Sequence, residues 1–148
     1  MPAAGRAGEQ EGIDMERSEP SGTDERRARG AATYRAVYGD DAVVIPPGAS
    51  DFFDLMIDHL FAEVWSRPAL DIPTRRLLVM GVLAAQHRFD VLQLQFRRAL
   101  EAGELTVEQV REVVIQLVPY VGYPSSGDLF RIGETAVAEH LAAHGSGS

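Results

Sequence analysis

The chain has 148 residues, 45% of them apolar, and a formal net charge of −8. That suffices for one domain with a real core, while the acidic balance argues against general nucleic-acid binding, which needs cations to neutralise phosphates. Cysteine is absent and all 14 cationic side chains are arginine, so disulfides, thiol chemistry, Cys-ligated zinc and lysine Schiff bases are excluded.

Residues 1–22 carry Gly, Pro, Ser and mixed charge with few large apolar groups. They cannot offset the entropy of ordering and are expected to form a disordered arm. No apolar run approaches the roughly 20 residues of a membrane span. The N-terminus also lacks the apolar centre of a signal peptide. The expectation is a cytoplasmic protein with neither a membrane nor a nucleic-acid partner.

From Thr23 to His144 the pattern is that of one helical domain, followed by a flexible end at 145–148. The first helix has Thr23 as its cap, Asp24 and Glu25 in its first turn and Gly39 as its stop. Pro46, Pro47 and Gly48 mark a linker. Ser50 then caps a helix in which Phe53, Met56, Ile57, Leu60 and Val64 keep helical spacing up to Pro68. The next helix starts near Pro73 and is apolar nearly all round, as a buried helix is. Arg75 and Arg76 lie in its first turn, where the dipole disfavours cations, so a partner is needed. An intersubunit carboxylate is the natural expectation.

Phe89–Ala102 forms a further helix closed by Gly103. Thr106 and Gln109 make a capping box for the following one. There Val110, Val113, Val114, Leu117 and Val121 form a stripe that ends at Gly122. The final helix follows Tyr123–Pro124. No segment alternates with period two, so the fold class is all-α, with about six helices.

Three ordered blocks carry a resemblance: FAEVWSRPALDIPTRRLLVMGVLAAQHR, LQFRRALEAG and EVVIQLVPYVGYPSSGDLFRIGE. Together they resemble the carboxymuconolactone decarboxylase family, within the alkylhydroperoxidase-D-like superfamily, from about Arg29 to Glu139. The resemblance implies a compact helical subunit in a homo-oligomer, a trimer or hexamer. It also implies decarboxylation of a small substrate with no metal or organic cofactor. In the peroxidase branch, the cysteine positions correspond here to Arg88 and Val91 and the upstream Glu to Arg76. With no thiol, no hydroperoxidase activity is expected. In the decarboxylase branch, the His within the pattern around VLQLQFRRALEAG corresponds to Gln95, and a second His before the YVGYP turn to Gln116. An amide hydrogen-bonds but does not titrate, so neither glutamine is a general acid near neutral pH.

The candidate site residues follow. Gln95 either lines a pocket or bridges helices. Gln116 and Tyr120, one turn apart, carry the same pair of readings. Arg88 either clamps a carboxylate or pairs with Asp90. Trp65 is a packing anchor at the edge of a substrate site. Glu63 is a proton carrier if buried, or else a structural partner of an arginine. His87 supplies an acid from a new direction or simply closes a helix. Glu63, His87 and Gln95 are thus the catalytic candidates, and Trp65, Arg88, Gln116 and Tyr120 the substrate-binding ones. No metal-ligand spacing is present. The function expected is a cofactor-free lyase acting on a small carboxylate, lactone or polyketide-like ring, by decarboxylation or by a repurposed cyclisation or isomerisation. The alternative is a non-catalytic oligomeric small-molecule-binding protein on the same scaffold.

Overall fold

The structure is a computed structural model that describes residues 21–145. The arm expected at 1–22 lies outside these residues except for Ser21 and Gly22, and of the flexible end only Gly145 is described. Six helices account for most of the described chain, with no strand among them. Helix α1 spans Gly22–Tyr38; α2 starts at Asp51–Leu55 and continues as a π-helix over Met56–Trp65. Helices α3 (Ile72–Ala85), α4 (Phe89–Glu101), α5 (Val107–Val121) and α6 (Ser126–His144) follow.

The ends obey local chemistry with one correction. The cap of α1 is Ser21, not Thr23: its hydroxyl accepts from Asp24 N–H, and Asp24 accepts from the Ser21 backbone in return. The earlier residue wins because it has a reciprocating carboxylate three places on. Ser50, Asp71 and Thr106 cap α2, α3 and α5, and Gln109 completes the box at Thr106. Gly39, Gly103 and Gly122 adopt positive φ just beyond α1, α4 and α5, where residues with a Cβ are strained.

The π-helix departs from the α-helix expected over these residues. Its ten residues are long for a form that usually appears as a single turn. Close approach of α1 accompanies it. A Cβ on Gly30 would overlap the Ile57 carbonyl oxygen. At the far end, the Ser66 and Arg67 N–H groups both turn to the Val64 carbonyl. The Ala62 carbonyl is served instead by Arg29 Nε at 3.0 Å and the Ser66 hydroxyl.

Two apolar clusters form the core. Val37, Ile57 and Phe61 make the smaller, with Tyr34, Phe53 and Trp65 against them. The larger draws Met80 and Ala84 from α3, Leu92, Phe96 and Ala99 from α4, Val110 and Val114 from α5, and Leu129, Ile132 and Ala136 from α6. Each fully buried large side chain of this set contributes about 1.5–3 kcal/mol. Helix α3 is not enclosed as its all-round apolar pattern suggested. It packs on α4 and α5, which leaves Leu78 and Val82 exposed on the side away from the core and Leu77 partly exposed.

Candidate functional site

Between the two clusters stands a buried cation. Arg76, on the first turns of α3, is 1% exposed. Its Nη1 donates to Gln95 Oε1 at 2.7 Å and its Nη2 to the Val37 carbonyl, also at 2.7 Å. Nε and Nη2 together grip the Glu104 carboxylate at 2.5 and 3.1 Å. Four of the five guanidinium N–H groups are thereby used. A buried charge this well paired and hydrogen-bonded is tolerated, whereas an unpaired one is costly. The partner expected for Arg76 was a carboxylate of another subunit. Glu104 of the same chain takes that place, because Gly103 turns the chain after α4 back toward α3. Arg75 pairs with no carboxylate among the described residues; it caps the Arg67 and Leu70 carbonyls at 3.0 and 3.1 Å.

Beside this pair lies a chamber of about 30 Å³, walled by Pro73, Leu77, Met80, Ala99 and Leu105 together with Arg76 and Glu104. It has room for about one water. Leu77 and Leu105 also line a wider cleft of about 450 Å³, with Gln109, Glu112, Val113, Gln116 and Leu117 on its α5 side. The α3–α5 cleft and the chamber therefore share a partition of two leucines. A mixed apolar and polar cleft thus lies next to a guanidinium fixed in place, with the two leucines between them.

The family model for the carboxymuconolactone decarboxylase family matches residues 50–135. The chain belongs to that family. It is similar to the 4-carboxymuconolactone decarboxylase of Acinetobacter baylyi, at 32% identity over 57% of this chain and 62% of the relative. It is similar also to the nitrosuccinic acid decarboxylase npaB of Metarhizium robertsii, at 35% identity over 49% of this chain and 50% of the relative. An uncharacterised 15.0 kDa protein of Paracoccus denitrificans is 30% identical over 57% of this chain and 63% of its own length. The chain thus spans between half and two thirds of these curated relatives. No solved structure matches it.

Within this carboxymuconolactone decarboxylase scaffold the candidate residues scatter. Gln95 is 1% exposed, and its carbonyl oxygen is held by Arg76. The amide is an interhelix bridge between α4 and α3. Gln116 is exposed on the wall of the α3–α5 cleft. Tyr120, one turn on, is 82% exposed and does not line that cleft. Glu63 lies on the surface, bonded to His59 at 2.9 Å and paired with Arg26 at 3.5 Å. The His59 hydrogen bond, ahead of the Arg26 charge, holds its carboxyl below the ordinary range. It is thus not the buried carboxyl that proton carriage called for. Trp65 stacks on Phe61 with 6.0 Å between ring centroids. Arg88 is exposed and lies 3.4 Å from Asp90, whose carboxyl it lowers by hydrogen bonding. His87 closes α3 in the left-handed region at φ 55°, with Nδ1 3.1 Å from the Ser125 hydroxyl and its ring edge-on to Phe89.

The structure joins Gln95 to Arg76 and Glu104, and sets Gln116 on the cleft above them. It does not join Glu63, Trp65, Arg88 or Tyr120 to this centre. Sequence reasoning missed Glu104 entirely. One signal pointed that way: an arginine where the superfamily pattern has Glu needs a nearby acid, and the short turn after α4 carries one. Among the described residues no group of His, Cys, Asp and Glu is arranged to hold a metal ion. No described helix is long and apolar enough to cross a membrane.

Proposed function

We propose that the protein is a cofactor-free lyase of the decarboxylase type, acting on a small carboxylate, lactone or polyketide-like ring in the α3–α5 cleft. The observation that carries the reading is the cleft itself, separated from the fixed Arg76 guanidinium by Leu77 and Leu105. Family membership and two relatives named as decarboxylases support it. In such a reaction the bond to the carboxylate carbon breaks and CO2 leaves. The electron pair delocalises into a neighbouring carbonyl, and a proton takes the vacated position. A buried guanidinium close behind the cleft favours the developing negative charge, because low polarity around it strengthens the attraction. Gln95 supplies no proton, since an amide has none to titrate. In this reading water delivers the proton, and Gln116 orients the ring from the cleft wall.

A homo-oligomer, trimer or hexamer, and a cytoplasmic location belong to the same reading. Support for the oligomer is the exposed apolar face of α3.

The test offers 4-carboxymuconolactone and nitrosuccinate to the purified chain and follows release of CO2. Turnover above blank with either supports the lyase. A specific observation favours a second reading. The positions matching the superfamily's Glu and His hold Arg76 and Gln95, and these are bonded to each other in the interior. Saturable binding of both compounds with no CO2 released would identify a binding protein that kept the scaffold and lost the chemistry.

A further inference from the structure

We infer that Arg76 is a carboxylate-binding site which Glu104 occupies in the resting chain, and that a ligand carboxylate takes the place of Glu104 on the guanidinium. The inference draws on the lyase reading only for the class of ligand, a small carboxylate.

Three observations carry it. First, the guanidinium is held independently of Glu104. Gln95 fixes Nη1 and the Val37 carbonyl fixes Nη2, both at 2.7 Å. Removing Glu104 leaves the fork in position. Second, Glu104 meets Nε and Nη2 with both of its oxygens. This two-pronged grip is the one by which arginine holds any free carboxylate. The cation therefore presents a site with the right geometry, already filled by a tethered stand-in. Third, the pair borders the chamber that shares Leu77 and Leu105 with the α3–α5 cleft. A carboxylate entering the cleft has only that leucine partition to pass.

The backbone of Glu104 is fixed: its N–H is tied to the Ala99 carbonyl at 2.9 Å, and Gly103 holds the turn at φ 68°. In this inference the fork opens by rotation of the Glu104 side chain. Glu104 then acts as an internal competitor that sets the apparent affinity. A ligand binds only the fraction of molecules whose fork is open, so its dissociation constant is raised by the inverse of that fraction. The exchange swaps one carboxylate for another on the same cation, so the buried guanidinium lacks a counter-charge only in the open fraction, until the ligand restores it.

The experiment titrates sodium succinate into the wild-type chain, Glu104→Gln and the double variant Arg76→Met/Glu104→Gln by calorimetry, with sodium chloride at matched ionic strength as control. Glu104→Gln keeps a side-chain acceptor for Arg76 while removing the competing charge. The double variant removes both charges, which buried pairs often tolerate. The expected result is that Glu104→Gln binds succinate at least about tenfold more tightly than wild type, and that the double variant loses this gain. Equal affinity in Glu104→Gln and wild type, or tight binding by the double variant, overturns the inference. A second measurement needs no variant. The Arg76 Nε–H resonance of the unmodified chain should move saturably as succinate is added to tens of millimolar. No movement overturns the inference just as firmly. Because binding is read without turnover, the two proposals fail separately. CO2 release with no succinate on Arg76 leaves the lyase and removes this site; the reverse leaves this site and removes the lyase.

Discussion

Gln95 shows how a side chain's neighbours decide its role. Its spacing within α4 marks it as inward-facing, and the family pattern marks its position as chemical, yet its oxygen is committed to Arg76 at 2.7 Å. Leucine has similar bulk and suits a helix, so volume alone raises no objection to it there. The structure predicts a cost, because Gln95→Leu strips a buried guanidinium of an acceptor. A lost hydrogen bond to a buried charged group costs about 1.5–3 kcal/mol, or roughly 5–10 °C in melting temperature for a domain of this size. Calorimetric melting of the variant checks this; an unchanged melting temperature would show that Arg76 finds another partner. On the surface, Arg111 grips Glu134 through Nε and Nη2 at 2.8 and 2.9 Å. That hydrogen bonding, then the charge, lowers the Glu134 carboxyl. A carboxyl lowered in the folded state adds stability above its unfolded pKa and loses it as pH falls through the folded one. Glu134→Gln should therefore melt slightly below wild type at neutral pH, and the gap should close once the pH drops beneath the ordinary glutamate range. A gap that persists in acid would mean the pair matters through packing, not charge. Arg76 was legible as a cation lacking a partner; Glu104 was not, because only the folded turn brings residues 28 positions apart together.

At the scale of elements, caps and stops were largely readable because they depend on residues within three or four positions of each other. Thr106 and Gln109 satisfy each other's backbone N–H groups at 3.2 and 2.9 Å, as their spacing implied. Thr106→Ala should cost about 1 kcal/mol, visible as an earlier midpoint in urea. The π-helix was not readable, since the apolar spacing of its residues is the same as that of an α-helix. What accompanies it is contact with α1, where Gly30 lies against the Ile57 backbone. Gly30→Ala puts a methyl group against the Ile57 carbonyl, a backbone atom that cannot rotate away. Helix propensity alone makes alanine better than glycine in an exposed helix interior by about 1 kcal/mol. The structure predicts the opposite sign here, a loss of at least about 2 kcal/mol, in the range of overpacking a tight core. Equilibrium unfolding decides the sign, and a stabilised variant would mean that α1 and the π-helix are further apart than described.

For the whole molecule, the question is what covers the outer face of α3. Helices α4 and α5 cover one side of it. On the other, Leu78 and Val82 are 60% and 54% exposed, and Leu77 is also partly bare. Leu78 and Val82 lie four positions apart, one above the other on a single helix face, while Leu77 turns toward the α3–α5 cleft. Tyr120 and Ile115 on α5 are exposed as well. Monomeric proteins seldom leave such surface contiguous and uncovered. The all-round apolar pattern of α3 exceeds what the single subunit buries, and the proposed oligomer would cover the remainder. The oligomer proposed above makes this testable with one charge. Glutamate at position 78 would meet water in a monomer and an apolar surface in an assembly. Surface substitutions in a monomer usually change stability by less than about 0.5 kcal/mol, whereas an unpaired charge buried in an interface costs several times that. Leu78→Glu should thus reduce the mass seen by light scattering at low micromolar concentration from an oligomer to a monomer, while far-ultraviolet dichroism stays helical. A wild-type chain that is already monomeric under those conditions would remove the oligomer from the proposal. A Leu78→Glu variant that still assembles would move the interface off α3, toward the exposed Ile115 and Phe130 that line the groove between α5 and α6.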